Sequence, residues 1–220
     1  MSFDPAHYQI RTMNASDFPT IRDICKLVYP EDTPYTEEEL AKHKELYPQG
    51  QFVAEHLATG NVAGVHFSLR ISMNDYHIDD SWDVLTAHGT FEDHDPVNGH
   101  TLYGADVFVS PEHQHHGLAH ALTDATRKLA VEEGLWRMVA GSRLPGYSTV
   151  VDEISPLKYV QEIVEGKRID PVLTAHLKDG WSVVKPIQGY LAHDPESAGW
   201  AAVIQWINPD CPPPPGFELR

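Results

Sequence analysis

One segment, residues 107–122, limits the possible folds more than any other part of the chain. It opens with an apolar run, stops at Pro111, crosses a short polar loop and continues after Gly117 with the apolar spacing of a helix. Gly117 has no Cβ, so backbone N–H groups there can approach a ligand closely, at the point where the helix dipole begins. The segment therefore predicts a buried strand, a turn and a helix N-terminus suited to an anion such as a phosphate.

The surrounding pattern predicts a single α/β domain over residues 1–220. Apolar runs indicate strands at residues 8–13, 51–57, 62–71, 101–109, 136–140, 181–185 and 201–207. Caps and helical spacing indicate helices at residues 16–28, 36–46, 81–85, 117–134, 155–164 and 170–178, and residues 141–147 are expected to form a loop. This order predicts one mixed central sheet with a parallel pair in its middle and helices on both faces.

Three segments lie outside this regular pattern. Residues 72–100 and 149–169 are interpreted as insertions that shape a pocket, and residues 208–220 as a proline-rich tail.

Composition and charge exclude several classes of partner. The formal net charge of -16 disfavours binding to nucleic acid, whose affinity comes from Lys and Arg, and accommodates a cationic substrate more readily. No apolar stretch approaches the roughly 20 residues of a membrane span. Cys25 and Cys211 lack metal or disulfide spacing, and the first residues lack the pattern of a secretion signal. We therefore expect a cytoplasmic protein that binds neither nucleic acid nor membrane.

The loop and its flanking strand resemble a known motif. Val107-x-Val109-x-Pro111 followed by Gln114-x-x-Gly117-x-Ala119 is similar to the acyl-CoA-binding motif of the GNAT superfamily of N-acetyltransferases. A narrower likeness, to GNAT modules fused to a nitrilase-like amidohydrolase, rests on residues 81–83, 94–96, 101–107, 141–147, 170–173 and 199–200. The resemblance implies a GNAT-type domain whose central strands are splayed at an acyl-CoA site. No amidohydrolase segment lies within the 220 residues.

The resemblance also implies how acetyl-CoA, or another acyl-CoA, is bound. The pantetheine arm pairs with the main chain of the strand, and amide groups of the following loop hold the pyrophosphate. The implied cofactor-binding residues are Val107, Phe108, Val109, Gln114, His115, His116, Gly117, Leu118, Ala119 and His120. Gln114 replaces the family's frequent Arg and Ala119 its Gly, but neither change removes a backbone donor.

Acyl transfer to an amine needs a base, an oxyanion site and a proton for the departing thiolate. His176, four residues before Gly180, stands where many members of the family have a tyrosine acid. Asp106 and Tyr103 are candidate catalytic residues on the central strand, while Arg143 and Glu55 are candidates for binding the acceptor. A packing role for His176, a structural role for Asp106 and an ion-pair role for Arg143 stay open.

A histidine-based metal site is the weaker interpretation of the same loop. His116 and His120 are four residues apart, with His113 close by, but HExxH is absent and the acyl-CoA motif already accounts for the segment. We therefore predict no bound metal.

The sequence favours an acyl-CoA-dependent N-acyltransferase that moves an acetyl or other short acyl group directly to the amine of a small molecule or peptide. The alternative is a GNAT-fold module without catalysis, acting as an acyl-CoA sensor or partner subunit. The identity of the acceptor does not follow from the pattern, and a homodimer stays open.

Overall fold

The computed structural model describes residues 3–31, 33–73 and 75–215. Its strands are β1 (Tyr8–Thr12), β2 (Gln51–His56), β3 (Asn61–Ile71), β4 (Thr101–Val109), β5 (Arg137–Arg143), β6 (Ser182–Gln188) and β7 (Trp200–Ile207). Its helices are α1 (Phe18–Val28), α2 (Glu37–Leu46), α3 (Trp82–Leu85), α4 (Leu118–Glu132), α5 (Pro156–Val164) and α6 (Leu173–Lys178). The predicted element order is confirmed.

All seven strands form one open sheet in the order β1-β2-β3-β4-β5-β7-β6. Its central pair, β4 and β5, is parallel, and the other neighbours are antiparallel. The pairing of β4 with β5 ends at Gly104 opposite Ala140. Beyond that point β4 stays with β3 and β5 stays with β7, so the two strands diverge within the described part of the chain. The α/β class, the mixed sheet and the splay are confirmed.

The two faces of the sheet carry separate helical layers. On β4, Tyr103 belongs to the core that contains α1 and α2, while its neighbour Leu102 belongs to the core that contains α5, α6 and the end of α4. Adjacent residues of a strand point to opposite faces, so these clusters lie on opposite sides of the sheet. The diverging ends of β4 and β5 therefore open a passage between two packed layers.

Local sequence signals explain where several helices begin. Thr36 and Glu39 form a reciprocal capping box at α2, as their spacing predicts. Ser155 caps α5 ahead of Pro156, a residue suited to the first helical position. Gly117 starts α4 in the left-handed region, at φ 73°, where a residue with a side chain is disfavoured.

Two predicted boundaries are wrong at the splay. Residues 141–143, predicted as loop, continue β5 because they pair with residues 201–203 of β7. Residues 186–188 likewise extend β6 along β7 beyond the predicted end. Gly141 and Pro186 are residue types that locally favour the end of a strand. Only their long-range pairing with β7 makes them part of one.

Among the described helices, none combines the length and the apolar character that crossing a bilayer requires.

Candidate active site

A cavity of about 630 Å³ lies where β4 and β5 diverge. Asp106, Tyr29 and Tyr35 line it on the α1–α2 side of the sheet, whereas His66 and His176 line it on the side of α4 and α6. The cavity therefore passes through the sheet rather than lying on one face. We call the part of the cavity beside Gly104 and Ala140, where the strand pairing ends, the neck.

A β-bulge in β4 points Asp106 into the α1–α2 side of the cavity. The register shifts between Phe67 and Ser68 of β3, whose partners are Asp106 and Gly104, so Ala105 is the extra residue. Strict alternation from Tyr103 would send Asp106 to the α4 face, and the extra residue reverses this. The Nε1 of Trp82, on α3, donates to the carbonyl oxygen of Ala105 over 2.9 Å and holds the bulge.

Two tyrosines, Tyr29 half-buried and Tyr35 buried, contact the Asp106 carboxylate. The hydroxyls of Tyr29 and Tyr35 donate to it over 3.4 and 3.2 Å. Burial, followed by the negative charge of Asp106, raises the pKa of both phenols well above its ordinary value. Both tyrosines therefore stay protonated and act as donors to the carboxylate.

His176 of α6 faces the neck from the opposite side. Its Nδ1 lies 3.0 Å from the hydroxyl of Ser142, which in turn donates to the carbonyl oxygen of Arg143 over 3.4 Å. The tautomer that satisfies both contacts has the N–H on Nδ1, donating to the Ser142 hydroxyl, and the lone pair on Nε2. Burial, reinforced by the charge of Arg127, lowers the pKa of His176 to about 4, and the ring is neutral at neutral pH.

A second imidazole, His66 of β3, reaches the neck from the α4 face. Its side chain is buried, and its Nδ1 hydrogen-bonds Thr126 of α4. A Cβ built on Gly104 would lie 3.4 Å from its Nε2 and 3.6 Å from the Cβ of Ala140. The absence of a side chain at position 104 therefore leaves room between β4, β5 and this ring.

The loop before α4 has an unusual backbone. A short 3-10 turn, Pro111–His113, precedes two residues with positive φ, His115 at 65° and Gly117 at 73°. The first N–H groups of α4 have no partner within the helix, as at any helix start. This loop adjoins the end of β4, where the edge of Val107 and Val109 that faces β5 is no longer paired with it.

The structure brings only some of the predicted site residues together. Asp106, Val107, Arg143 and His176 line the cavity. Tyr103 does not, because its hydroxyl is buried against that of Tyr190, which does line it.

Glu55 lies on β2, where it forms an ion pair with Arg11, and it does not line the cavity. Arg143 lines it but is committed elsewhere: its guanidinium makes a bidentate contact with Asp194, at 3.0 and 2.5 Å, and also reaches Glu196. The hydrogen bonds to Asp194 raise the pKa of Arg143. The arginine therefore forms a neutralised wall of the cavity.

The predicted insertions differ in their relation to the cavity. Residues 72–100 contribute lining residues, including Trp82 and Asp83. Residues 149–169 contribute none: α5 packs Tyr159, Val160 and Ile163 into the core of the layer that contains α6.

One group of three potential metal ligands occurs in the described residues, formed by His120, Asp124 and Asp179. Both carboxylates also pair with Arg127, at 3.3 and 3.6 Å. The guanidinium of Arg127 therefore already neutralises these carboxylates.

Residues 18–145 match the Acetyltransferase (GNAT) family, more than half of the chain. A Bacillus subtilis relative, "Uncharacterized N-acetyltransferase YkwB", is 32% identical over 180 residues, which cover 82% of this chain and 78% of the relative. The chain belongs to the GNAT family of acetyltransferases.

A second Bacillus subtilis relative, "Probable hydrolase YhcX", is 31% identical over 91% of this chain, which spans only 39% of that longer protein. Among solved structures, the loading GNATL domain of CurA from Lyngbya majuscula has a TM-score of 0.78 at 21% identity, covering 91% of this chain and 98% of that one. The GphF GNAT-like decarboxylase in complex with isobutyryl-CoA has a TM-score of 0.68 at 20% identity, covering 90% and 98%. These two structures share the fold.

Proposed function

We propose that this protein is an acyl-CoA-dependent N-acyltransferase that moves an acetyl or other short acyl group from coenzyme A directly to an amine. The observation that carries the proposal is the cavity that passes through the sheet where β4 and β5 diverge. It lets an acyl donor enter from one face and an amine acceptor from the other, so that the reacting atoms meet in the neck.

Coenzyme A fits the groups on the α4 face. The loop of residues 114–120 and the first turn of α4 present backbone N–H groups and the positive end of the helix dipole to the pyrophosphate. Val107 and Val109 offer the main-chain edge left unpaired by the splay to the amides of the pantetheine arm. Donor binding by main chain accounts for the absence of an arginine at Gln114.

His176 serves the chemistry first as a base and then as an acid. Because it is neutral, lines the cavity and contacts Ser142 through Nδ1, its Nε2 can take the proton that the amine nitrogen loses as the new C–N bond forms. When the C–S bond breaks, the electron pair leaves with sulfur, and the imidazolium returns the same proton to the thiolate. One ring therefore balances the proton of both steps and ends neutral.

Asp106 belongs to the acceptor end of the cavity. Its carboxylate, held by Tyr29 and Tyr35, can orient an acceptor amine toward the neck. Tyr103 supports the acceptor end of the cavity through its hydrogen bond to Tyr190. Arg143, paired with Asp194, forms part of the cavity wall there.

The proposal is tested by measuring acetyl-CoA binding by calorimetry and then release of free thiol with a panel of amines. Binding with amine-dependent thiol release supports the transferase. Binding without turnover on any amine supports the sensor or partner module instead. No binding at millimolar acetyl-CoA contradicts both.

We expect Gly117→Ala to weaken coenzyme A binding roughly tenfold to a hundredfold. At φ 73° a Cβ costs about 1–2 kcal/mol, which the loop relieves by changing conformation and misaligning a charge-assisted N–H donor. Gly134→Ala is the matched control, because Gly134 follows the same helix at φ 64° with nothing near its absent Cβ. Calorimetry should show comparable loss of thermal stability in both variants but weaker coenzyme A binding only in Gly117→Ala.

A second candidate function is the decarboxylation of a carboxyacyl-CoA, the reaction class that the name of GphF gives for that protein. It is favoured by the uncharged polar groups His66, Thr123 and His176 on the α4 face of the cavity. A carboxylate forced into such surroundings loses hydration, which favours its departure as carbon dioxide. Incubation with malonyl-CoA and detection of acetyl-CoA tests this, and unchanged malonyl-CoA contradicts it.

A further inference from the structure

We propose that His66 binds the acyl donor directly: its Nε2 accepts a hydrogen bond from an amide N–H of the pantetheine arm as the arm enters the neck. The inference rests on the proposed function and adds a residue that the acyl-CoA motif does not contain. Nothing in the pattern of residues 107–122 points to β3.

The position of His66 is unusual for a polar side chain. It lies in a strand buried from Val62 to Leu69, and the residue is only 3% exposed. Its ring nevertheless lines the cavity, because Gly104 and Ala140 leave the neck open beside Nε2. A buried polar atom that faces a cavity needs a hydrogen-bond partner from the molecule that occupies the cavity.

The hydrogen-bond chain behind the ring assigns its tautomer. The Thr126 hydroxyl donates its one proton to the carbonyl oxygen of Leu122 over 3.1 Å. The tautomer that satisfies both contacts has the N–H of His66 on Nδ1, donating to the Thr126 hydroxyl, and the lone pair on Nε2. Helix α4 thus fixes the ring as a hydrogen-bond acceptor toward the neck.

The surroundings keep this ring from becoming a donor. Burial lowers the pKa of His66 to about 3, and the neighbouring side chains of His176 and Arg127 act in the same direction. The ring stays neutral at neutral pH, so a donor from outside is the complementary partner for Nε2.

The pantetheine arm is the donor that the geometry favours. His66 contacts α4 through Thr126, and Val109, at the end of β4 that leads into the loop, packs in one cluster with Leu118 and Leu122 of the same helix. An arm that runs from this loop along β4 to the neck passes the ring and carries amide N–H groups. Asp106 and its tyrosines, the acceptor end, lie on the other face.

Two variants separate the lone pair from the ring. His66→Asn keeps an amide donor for Thr126 but does not reach the neck. Thr126→Val keeps the ring but removes the hydroxyl that fixes its tautomer, and Thr126→Ser is the control that retains it. Binding is measured for coenzyme A and for adenosine 3′,5′-bisphosphate, which carries phosphates but no pantetheine arm.

We expect the dissociation constant for coenzyme A to rise about tenfold in His66→Asn and Thr126→Val, and to stay near the native value in Thr126→Ser. The bisphosphate should bind all four proteins equally. In 15N NMR of the native protein, Nε2 of His66 should be the nitrogen without a proton and should shift when coenzyme A is added.

Three results would overturn the assignment. Equal binding of coenzyme A by His66→Asn and the native protein would remove the contact. If His66→Asn bound coenzyme A and the bisphosphate equally more weakly, His66 would have only a structural role. If His66→Asn raised only the KM for the amine, His66 would contact the acceptor and not the acyl donor. If the native protein binds no coenzyme A, the proposed function itself fails, an outcome that is visible before any variant is made.

Discussion

His176→Asn is expected to lower kcat for amine acetylation by roughly 10²- to 10⁴-fold, the usual contribution of a general acid–base group. The asparagine amide can still donate to the Ser142 hydroxyl, as Nδ1 does in the native protein, but it cannot place a lone pair in the neck. The loss should therefore fall on kcat, while the dissociation constant for acetyl-CoA changes little. Thiol release under saturating acetyl-CoA measures the first quantity and calorimetry the second.

The matched control for this variant is His100→Asn, since His100 is an exposed histidine outside the cavity. It should retain native kcat. Retention of native kcat by His176→Asn would instead show that His176 only packs against Trp181, its neighbour at 6.1 Å between ring centroids.

The proton role of His176 also sets a pH dependence. A neutral base with a pKa near 4 is available throughout the neutral range and is lost as the pH falls through 4. The value of kcat/KM, expressed per unprotonated amine, should therefore stay level from pH 8 to pH 6. A decline centred near the ordinary histidine value of about 6.5 would contradict the assignment.

Much of the fold follows from the sequence because its signals are local. The capping box of Thr36 and Glu39 and the strand-loop-helix around Gly117 each define an element within a few residues. The order of the elements along the chain then limits the topology, because a strand followed by a helix and a second strand favours a parallel pair of strands. Of the two boundaries that the sequence predicts wrongly, the one at residues 141–143 depends on pairing with β7, about 60 residues away in sequence.

The site is less accessible to sequence reasoning because its key contacts are non-local. Asp106 faces the α1–α2 side of the sheet only because Ala105 forms a bulge, which no residue from Thr101 to Val109 predicts. Glu55 was a candidate because its strand was expected beside the central one. Its carboxylate instead pairs with Arg11 on β1 and does not line the cavity. His66 gave the one usable signal, a polar residue in the middle of a continuous apolar strand.

The second large effect expected is acid unfolding near pH 5, driven by histidines that are buried in their neutral form. His43 is fully buried, stacks on Phe91 with ring centroids 3.7 Å apart and donates from Nε2 to the carbonyl oxygen of Gly89 over 2.7 Å. Its Nδ1 has no hydrogen-bond partner among the described residues. Burial lowers the pKa of His43 to about 4 and that of His66 to about 3.

The direction follows from proton binding. In the unfolded chain these histidines take up protons near pH 6.5, whereas the folded protein resists until pH 3 to 4. Between those values the unfolded state holds more protons, so the free energy of unfolding decreases as the pH falls. At pH 5 each histidine contributes a loss of about 2 kcal/mol, a large share of the roughly 5–15 kcal/mol that stabilises a typical domain.

The carboxylates affect the stability of the fold only at lower pH. Asp17 and Asp194 have a pKa lowered from 3.8 by their hydrogen bonds to Arg11 and Arg143, so the stability that they provide is lost only below about that pH. Unfolding that begins between pH 6 and pH 5 is therefore assigned to the histidines.

His43→Gln tests this assignment. The amide can still donate to Gly89, but it does not titrate, so the decrease in unfolding free energy between pH 7 and pH 5 should be smaller than in the native protein by about 2 kcal/mol. Urea titrations at the two pH values give this difference independently of any loss of stacking on Phe91, which lowers both values alike. His100→Gln, on the exposed surface, should show the native difference. An equal pH dependence in His43→Gln and the native protein would contradict the assignment, because it would mean that His43 takes up its proton at the same pH in the folded and the unfolded state.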